Sequence, residues 1–108
     1  MEFIQVCHID DIIAGTGVCA LVNQRQVALF RPTEGHEVYA ISNTDPFARA
    51  NVLSRGLICE HDNQLWVASP LKKQRFNLQT GQCLEDERFS VASFQVRVDD
   101  GKVSVATQ

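Results

Sequence analysis

The amino-acid sequence predicts an all-β fold, a small antiparallel sandwich or barrel. Short apolar runs recur at close spacing, turn residues separate them, and no window of helical length carries a 3.6-residue apolar stripe. Val18–Val22 reads as a strand, Asn23-Gln24 as a turn and Gln26–Phe30 as the returning strand. Pro32–His36, with Gly35, is a loop, and Glu37–Ile41 gives a third strand. Leu57–Cys59 and Gln64–Ala68 flank Asp62-Asn63, a hairpin turn. Arg75–Leu78 leads into Thr80-Gly81, with Gln82-Cys83-Leu84 beyond. Phe94, Val96 and Val98 alternate with Gln95, Arg97 and Asp99. The turn Asp99-Asp100-Gly101 follows, and Val103 and Val105 alternate on the way back, the pattern of a half-buried hairpin. Asp10–Ala14 and Glu87–Ser90 each have room for one short helical turn. Ser42–Gly56 breaks the strand rhythm. It contains Asn43, Asp45, Pro46 and Asn51 and reads as a long loop, a place where β scaffolds often carry function.

Composition narrows the function classes. With 108 residues, 44% hydrophobic and 21% charged, the chain is expected to fold as one domain over residues 1–108. Ten basic residues against thirteen acidic ones give a net charge of −3. That balance disfavours nucleic-acid binding by phosphate neutralisation and attachment to anionic lipid. Met1–Asp11 carries Glu2, Asp10 and Asp11 but no Lys or Arg, so it lacks the basic start of a signal peptide. The apolar runs are too short to cross a bilayer. The expected setting is cytoplasmic, with no nucleic acid and no membrane among the partners. Cys7, Cys19, Cys59 and Cys83 contain no Cys-x-x-Cys pair, which argues against a zinc ribbon, and four free thiols are expected. Cys19, between Val18 and Ala20, reads as a small core residue.

Ordinary catalytic constellations are missing. Gly15-Thr16-Gly17 lacks the later Gly and Lys of a phosphate loop, and His8, His36 and His61 lie in separate segments without a nucleophile partner. Cys59-Glu60-His61 is a Cys-x-His element, and Cys83-Leu84-Glu85-Asp86 follows it. A Rieske [2Fe–2S] centre takes its ligands from a Cys-x-His and a Cys-x-x-His, but here the last position is Asp86. The frame of a Rieske domain lies elsewhere in the chain. Val38–Ile41 resembles the strand before the first cluster loop, and Val52-Leu53-Ser54-Arg55-Gly56 the Leu-Ser-x-Gly stretch after it. Trp66-Val67-Ala68 resembles the strand entering the second loop, and Phe76-Asn77-Leu78-Gln79-Thr80-Gly81 the Phe-x-x-x-Thr-Gly leaving it. In that frame the ligand positions fall on Asp45 and Phe47, and on Ser69 and Lys72. Phe47 has no donor atom and Lys72 carries an ammonium, so no cluster is expected there. The Cys59/Cys83 pattern is out of this frame in both halves.

Ile41–Phe47, Val52–Ile58, Ala68–Phe76 and Asp86-Glu87-Arg88-Phe89-Ser90-Val91 closely resemble the small subunits of cytoplasmic NAD(P)H-dependent nitrite reductases, and the likeness runs from about Val6 to Val105. The resemblance implies a large-subunit partner that carries FAD, an iron–sulfur cluster and sirohaem. That partner reduces nitrite to ammonium with electrons from NADH. The small subunit is then required for activity, holds no cofactor or metal and is inactive alone. Two other readings stand beside it: a free-standing Rieske-type ferredoxin using Cys59, His61 and Cys83, or a regulatory interaction domain with another partner. The two loops would present Asp45, Pro46 and Phe47 on one side, and Ser69, Pro70, Leu71, Lys72, Lys73 and Arg75 on the other. An apolar tip beside a cationic edge suits docking on the large subunit. Phe47 either anchors that partner or plugs the vacated cluster pocket, and Lys72 and Lys73 either meet it or form a solvated rim. Trp66 and Phe76 are expected in the core.

Overall fold

The computed structural model describes residues 1–107. In chain order its strands are β1 (Ile4–His8), β2 (Thr16–Val22), β3 (Arg25–Arg31), β4 (Tyr39–Ser42), β5 (Thr44–Asp45), β6 (Ala50–Asn51), β7 (Leu57–His61), β8 (Gln64–Ala68), β9 (Arg75–Asn77), β10 (Ser93–Asp99) and β11 (Lys102–Ala106). Six of them form one antiparallel sheet in the order β1-β11-β10-β4-β3-β2. β7, β8 and β9 form a second sheet, and β5 pairs with β6. Short 3-10 turns occupy Ile9–Asp11, Leu53–Arg55 and Glu87–Phe89. No helix among the described residues is long and apolar enough to cross a membrane.

Three hairpins rest on two-residue turns. Asn23 and Gln24, Asp62 and Asn63, and Asp100 and Gly101 all adopt positive φ. A type I′ turn needs that at both central positions, and Asn, Asp and Gly tolerate it best. These turns set the registers Val22↔Arg25, His61↔Gln64 and Asp99↔Lys102.

β3 divides the interior. Side chains alternate across a strand. Val27 and Leu29 therefore pack with Ile9, Ile12, Val22, Val103 and Val105 inside the six-stranded sheet. Ala28 and Phe30 face the other way and meet Leu53, Val67, Phe76, Leu78 and Cys83 under the second sheet. β4 repeats the division with Ala40 on one side and Ile41 on the other. Trp66 and Phe76 are both buried. The second core carries the two loops described below.

Three sequence expectations need correction, and one strand, β1, lies where the residues carry no strand signal. β1 went unread because its alternation is broken: its pairing with β11 shifts register between Gln5 and Cys7, a bulge that spoils the period-two pattern. Ser42–Gly56 is more ordered than a long loop, since it contains β5, β6 and a 3-10 turn. Buried Asn43 organises it, with its side-chain Oδ1 accepting from Ser54 N at 2.8 Å and its backbone C=O accepting from Leu53 N. Gln82-Cys83-Leu84 is an isolated bridge, Phe76↔Cys83, rather than a strand. Cys19 is exposed; Cys83 is the cysteine in the core. Burial and the nearby Asp11 charge push the Cys7 thiol up, which lowers its thiolate fraction.

This burial order predicts graded thiol reactivity. In timed alkylation of native protein followed by mass spectrometry, Cys19 should be labelled first and Cys83 only on unfolding. All four thiols should titrate once the chain is denatured. Cys83 reacting as fast as Cys19 in native buffer would contradict the packing described.

Candidate functional site

The candidate site consists of two loops that leave the second core, one after β5 and one after β8. They share a design. In the first, the Asp45 C=O accepts from Arg49 N at 2.7 Å. In the second, the Ser69 C=O accepts from Lys73 N at 3.0 Å. Arg49 and Lys73 both sit in the left-handed region, with φ of 55° and 65°. Each loop therefore reverses over the same number of residues and closes with the same backbone bond.

The residues that open the loops also join them. The Asp45 carboxyl is fully buried, and its Oδ1 accepts from Phe47 N at 2.8 Å and Ala48 N at 3.1 Å. Its Oδ2 accepts a short hydrogen bond from the Ser69 hydroxyl. Ser69 Oγ in turn accepts from Leu71 N at 3.3 Å. Burial away from water makes these bonds costly to break, because each freed donor would be left without a partner.

Phe47 fills the space beside this clamp. It is half-buried, with its ring centroid 4.6 Å from Phe89 and 6.4 Å from Phe76. Of the two roles considered for it, the packing supports the plug. Phe89, partly exposed at the rim, was not singled out from the sequence, because one apolar residue after Asp86-Glu87-Arg88 gives no periodic signal.

The remaining predicted residues separate into two groups. Pro70, Leu71, Lys72 and Lys73 are exposed and Pro46 is half-buried, so they line the outer surface of the end. Asp45 lies underneath, fully buried, where its carboxyl holds the loops and contributes no outer surface. Arg75 is also engaged: its Nε donates to Glu85 Oε2 at 2.7 Å and its backbone N–H to Glu85 Oε1 at 2.8 Å. Burial acts to raise the Glu85 carboxyl, but these Arg75 contacts outweigh it and hold the group below the ordinary range. A lowered folded value means the contact stabilises above pH ~4.5 and loses its contribution as the pH falls through the folded value. Arg55, missed from the sequence, is exposed and borders Lys73 across a shallow groove.

The four positions do not fit a Rieske cluster. They offer a carboxyl already hydrogen-bonded to three donors, a phenyl ring, a hydroxyl committed to that carboxyl and a solvated ammonium. A Rieske centre needs two thiolates and two imidazoles. The out-of-frame set does not assemble either. Cys59 lies on β7 opposite Trp66 of β8, β8 pairs with β9, and Cys83 bridges to Phe76 of β9. Three strand spacings, about 14 Å, separate the two cysteines. No group of three or more His, Cys, Asp or Glu side chains suited to a metal ion exists among the described residues.

The clamp predicts a coupled stability effect. Asp45→Ala should cost about 3 kcal/mol by leaving two amides and a hydroxyl unpaired, and Ser69→Ala about 1–2 kcal/mol. In a double-mutant cycle by urea denaturation the pair should couple by about 1 kcal/mol or more. Additive losses would mean that the two loops are held independently.

Residues 2–106 match the Rieske-like [2Fe-2S] domain family. The nitrite reductase (NADH) small subunit of Salmonella typhimurium (strain LT2) is 62% identical over 100 residues, covering 93% of each chain. The NMR structure of the E. coli protein NirD superposes with a TM-score of 0.91 at 56% identity, covering 99% of this chain and 98% of that one. A segment amounting to 11% of the nitrite reductase [NAD(P)H] large subunit of Klebsiella oxytoca is 41% identical over 103 residues, 95% of this chain. The chain belongs to the Rieske-like [2Fe-2S] domain family, among the small subunits of NAD(P)H-dependent nitrite reductase.

Proposed function

We propose that the chain acts as a single cluster-free domain in the cytoplasm, non-catalytic alone, that docks its two-loop end on the nitrite reductase large subunit. The observation that carries this reading is the Klebsiella oxytoca protein, in which a segment like this chain is part of a large subunit. One polypeptide there joins what two chains would otherwise have to bring together by binding. The donor set supports the absence of a cluster, since Asp45 and Ser69 spend their polar atoms on each other and Phe47 packs against Phe76 and Phe89. On this reading FAD, the iron–sulfur cluster, sirohaem and all redox chemistry belong to the large subunit. Nitrite reduction to ammonium then occurs there while this chain supports it.

The docking contacts proposed on this chain are Pro46, Pro70, Leu71, Lys72 and Lys73, with Arg75 beside them and Phe47 packed beneath as the plug. Lys72 and Lys73 are exposed and make no ion pair among the described residues, which leaves their charge free to guide approach. Leu71, 56% exposed, supplies apolar area next to them.

The decisive experiment co-expresses the chain with the large subunit, purifies the complex and assays nitrite-dependent NAD(P)H oxidation with and without this chain. Co-purification and a loss of activity on omission are expected, and the isolated chain should be colourless and iron-free. About two irons per chain with Rieske-type spectra would overturn the cluster-free reading. Lys72→Glu with Lys73→Glu should slow association by roughly tenfold at low salt and flatten its salt dependence, with the melting temperature unchanged. An unchanged association rate would move the docking face elsewhere.

A further inference from the structure

The end surface extends down one flank into a feature that the loop sequences do not reveal. Between the 3-10 turn at Leu53–Arg55 and the second loop lies a groove of about 310 Å³, walled by Leu57 and Pro70 and floored by Gly56 and Ala68. Its size is at the bottom of the range for small-molecule sites, so it suits one or two side chains better than a cofactor. The floor is shallow because the backbones nearly touch: a Cβ on Gly56 would lie 2.3 Å from the Ala68 carbonyl oxygen. Leu57 is 78% exposed, more than any other large apolar side chain among the described residues. Arg55 and Lys73 flank the opening, both exposed and neither in an ion pair among the described residues.

An exposed leucine over an apolar groove, bracketed by two free cations, is the composition of an interface core with a charged rim rather than of an idle surface. We propose that this groove seats an apolar side chain of the nitrite reductase large subunit, packed against Leu57 and Pro70, with carboxylates of that subunit meeting Arg55 and Lys73. The proposal rests on the docking reading above and assigns it an anchor point. It commits to an acidic partner surface because both flanking groups are cationic and Lys72 adds a third positive charge nearby. It commits to the large subunit because the groove is continuous with the second loop of the proposed docking end through Ser69, Pro70 and Lys73. The loops guide approach, while Leu57 supplies the buried contact that sets the lifetime of the complex.

The test measures affinity of the full chain for the purified large subunit. Leu57→Glu should weaken binding by roughly tenfold or more, as expected for loss of a central anchor, with the melting temperature held. Arg55→Glu should weaken it by a similar factor, and the loss should shrink as salt rises. Leu21→Glu, at a leucine 68% exposed on β2, is the control and should bind within about twofold of the unmodified chain. Should Leu57→Glu disturb folding, Leu57→Ser removes the same apolar area without adding charge, and its affinity decides. Unchanged affinity in both Leu57 and Arg55 variants overturns the groove while leaving docking by the loops intact. Failure of the unmodified chain to bind the large subunit would instead overturn the docking reading itself.

Discussion

The hydrogen bond from the Ser69 hydroxyl to the Asp45 carboxyl is the joint on which the loop end depends. In a Rieske centre the loops are tied through iron, with a cysteine of each loop on the same metal. Here the two residues at those positions reach each other directly. The substitution works because a carboxyl can do several jobs at once. One oxygen caps the reversal of its own loop by accepting from Phe47 N and Ala48 N, and the other crosses to the second loop. Ser69 does the matching work on its side, donating across and accepting from Leu71 N. The backbone at Arg49 and Lys73 adopts a left-handed conformation that costs non-glycine residues about 1–2 kcal/mol each. Such turns persist only where surrounding contacts over-determine them, and the buried clamp supplies those contacts.

Four loop positions without cluster ligands leave a volume to fill as well as bonds to replace. Phe47 answers the volume. Its ring packs tilted at 54° against Phe76 and close to Phe89 at the rim, so the space beside the clamp becomes an extension of the second core. An aromatic side chain suits this place because it brings large apolar area with few rotatable bonds. The consequence reaches the surface. With Phe47 turned inward, the exposed apolar groups at this end are Leu71, Phe89 and, down the flank, Leu57. The free cations Lys72, Lys73 and Arg55 lie around them. This end of the domain presents apolar contact beside positive charge, the mixture on which the proposed interface rests.

The sequence exposed some of this and hid the rest for physical reasons. Hairpins were legible because Asn23, Asp62-Asn63 and Asp100-Gly101 are residues that a positive-φ turn selects. The Rieske frame was legible because strands and turn glycines outlast a change of ligands. β1 was not, since its bulge breaks the alternation by which strands are recognised. Cys19 misled for a related reason: Val18 and Ala20 on either side face inward, and on a strand that places Cys19 on the outer face. Asp45 was read as a surface residue because carboxylates usually are. Its burial follows from partners, two backbone amides and a hydroxyl twenty-four positions on, that no local pattern can announce. Arg55 and Leu57 belong to the same class, since the groove between them and Pro70 exists only once β7 and β8 are paired.

Rigidity links the clamp to the proposed interface. Association costs conformational freedom for every loop that must be ordered on binding. A loop pair already closed by Asp45 O···Arg49 N, Ser69 O···Lys73 N and the bond between Asp45 and Ser69 has met most of that cost during folding. The Gly56 backbone held against Ala68 does the same for the floor of the groove, which cannot shift without unpairing β7 from β8. The same contacts leave the loop residues with no ligand set for iron. A donor set unsuited to iron and the pre-ordering of the proposed binding surface thus go with one set of hydrogen bonds: the polar atoms of Asp45 and Ser69 hold the loops in place, and the outward side chains are the ones left for a partner.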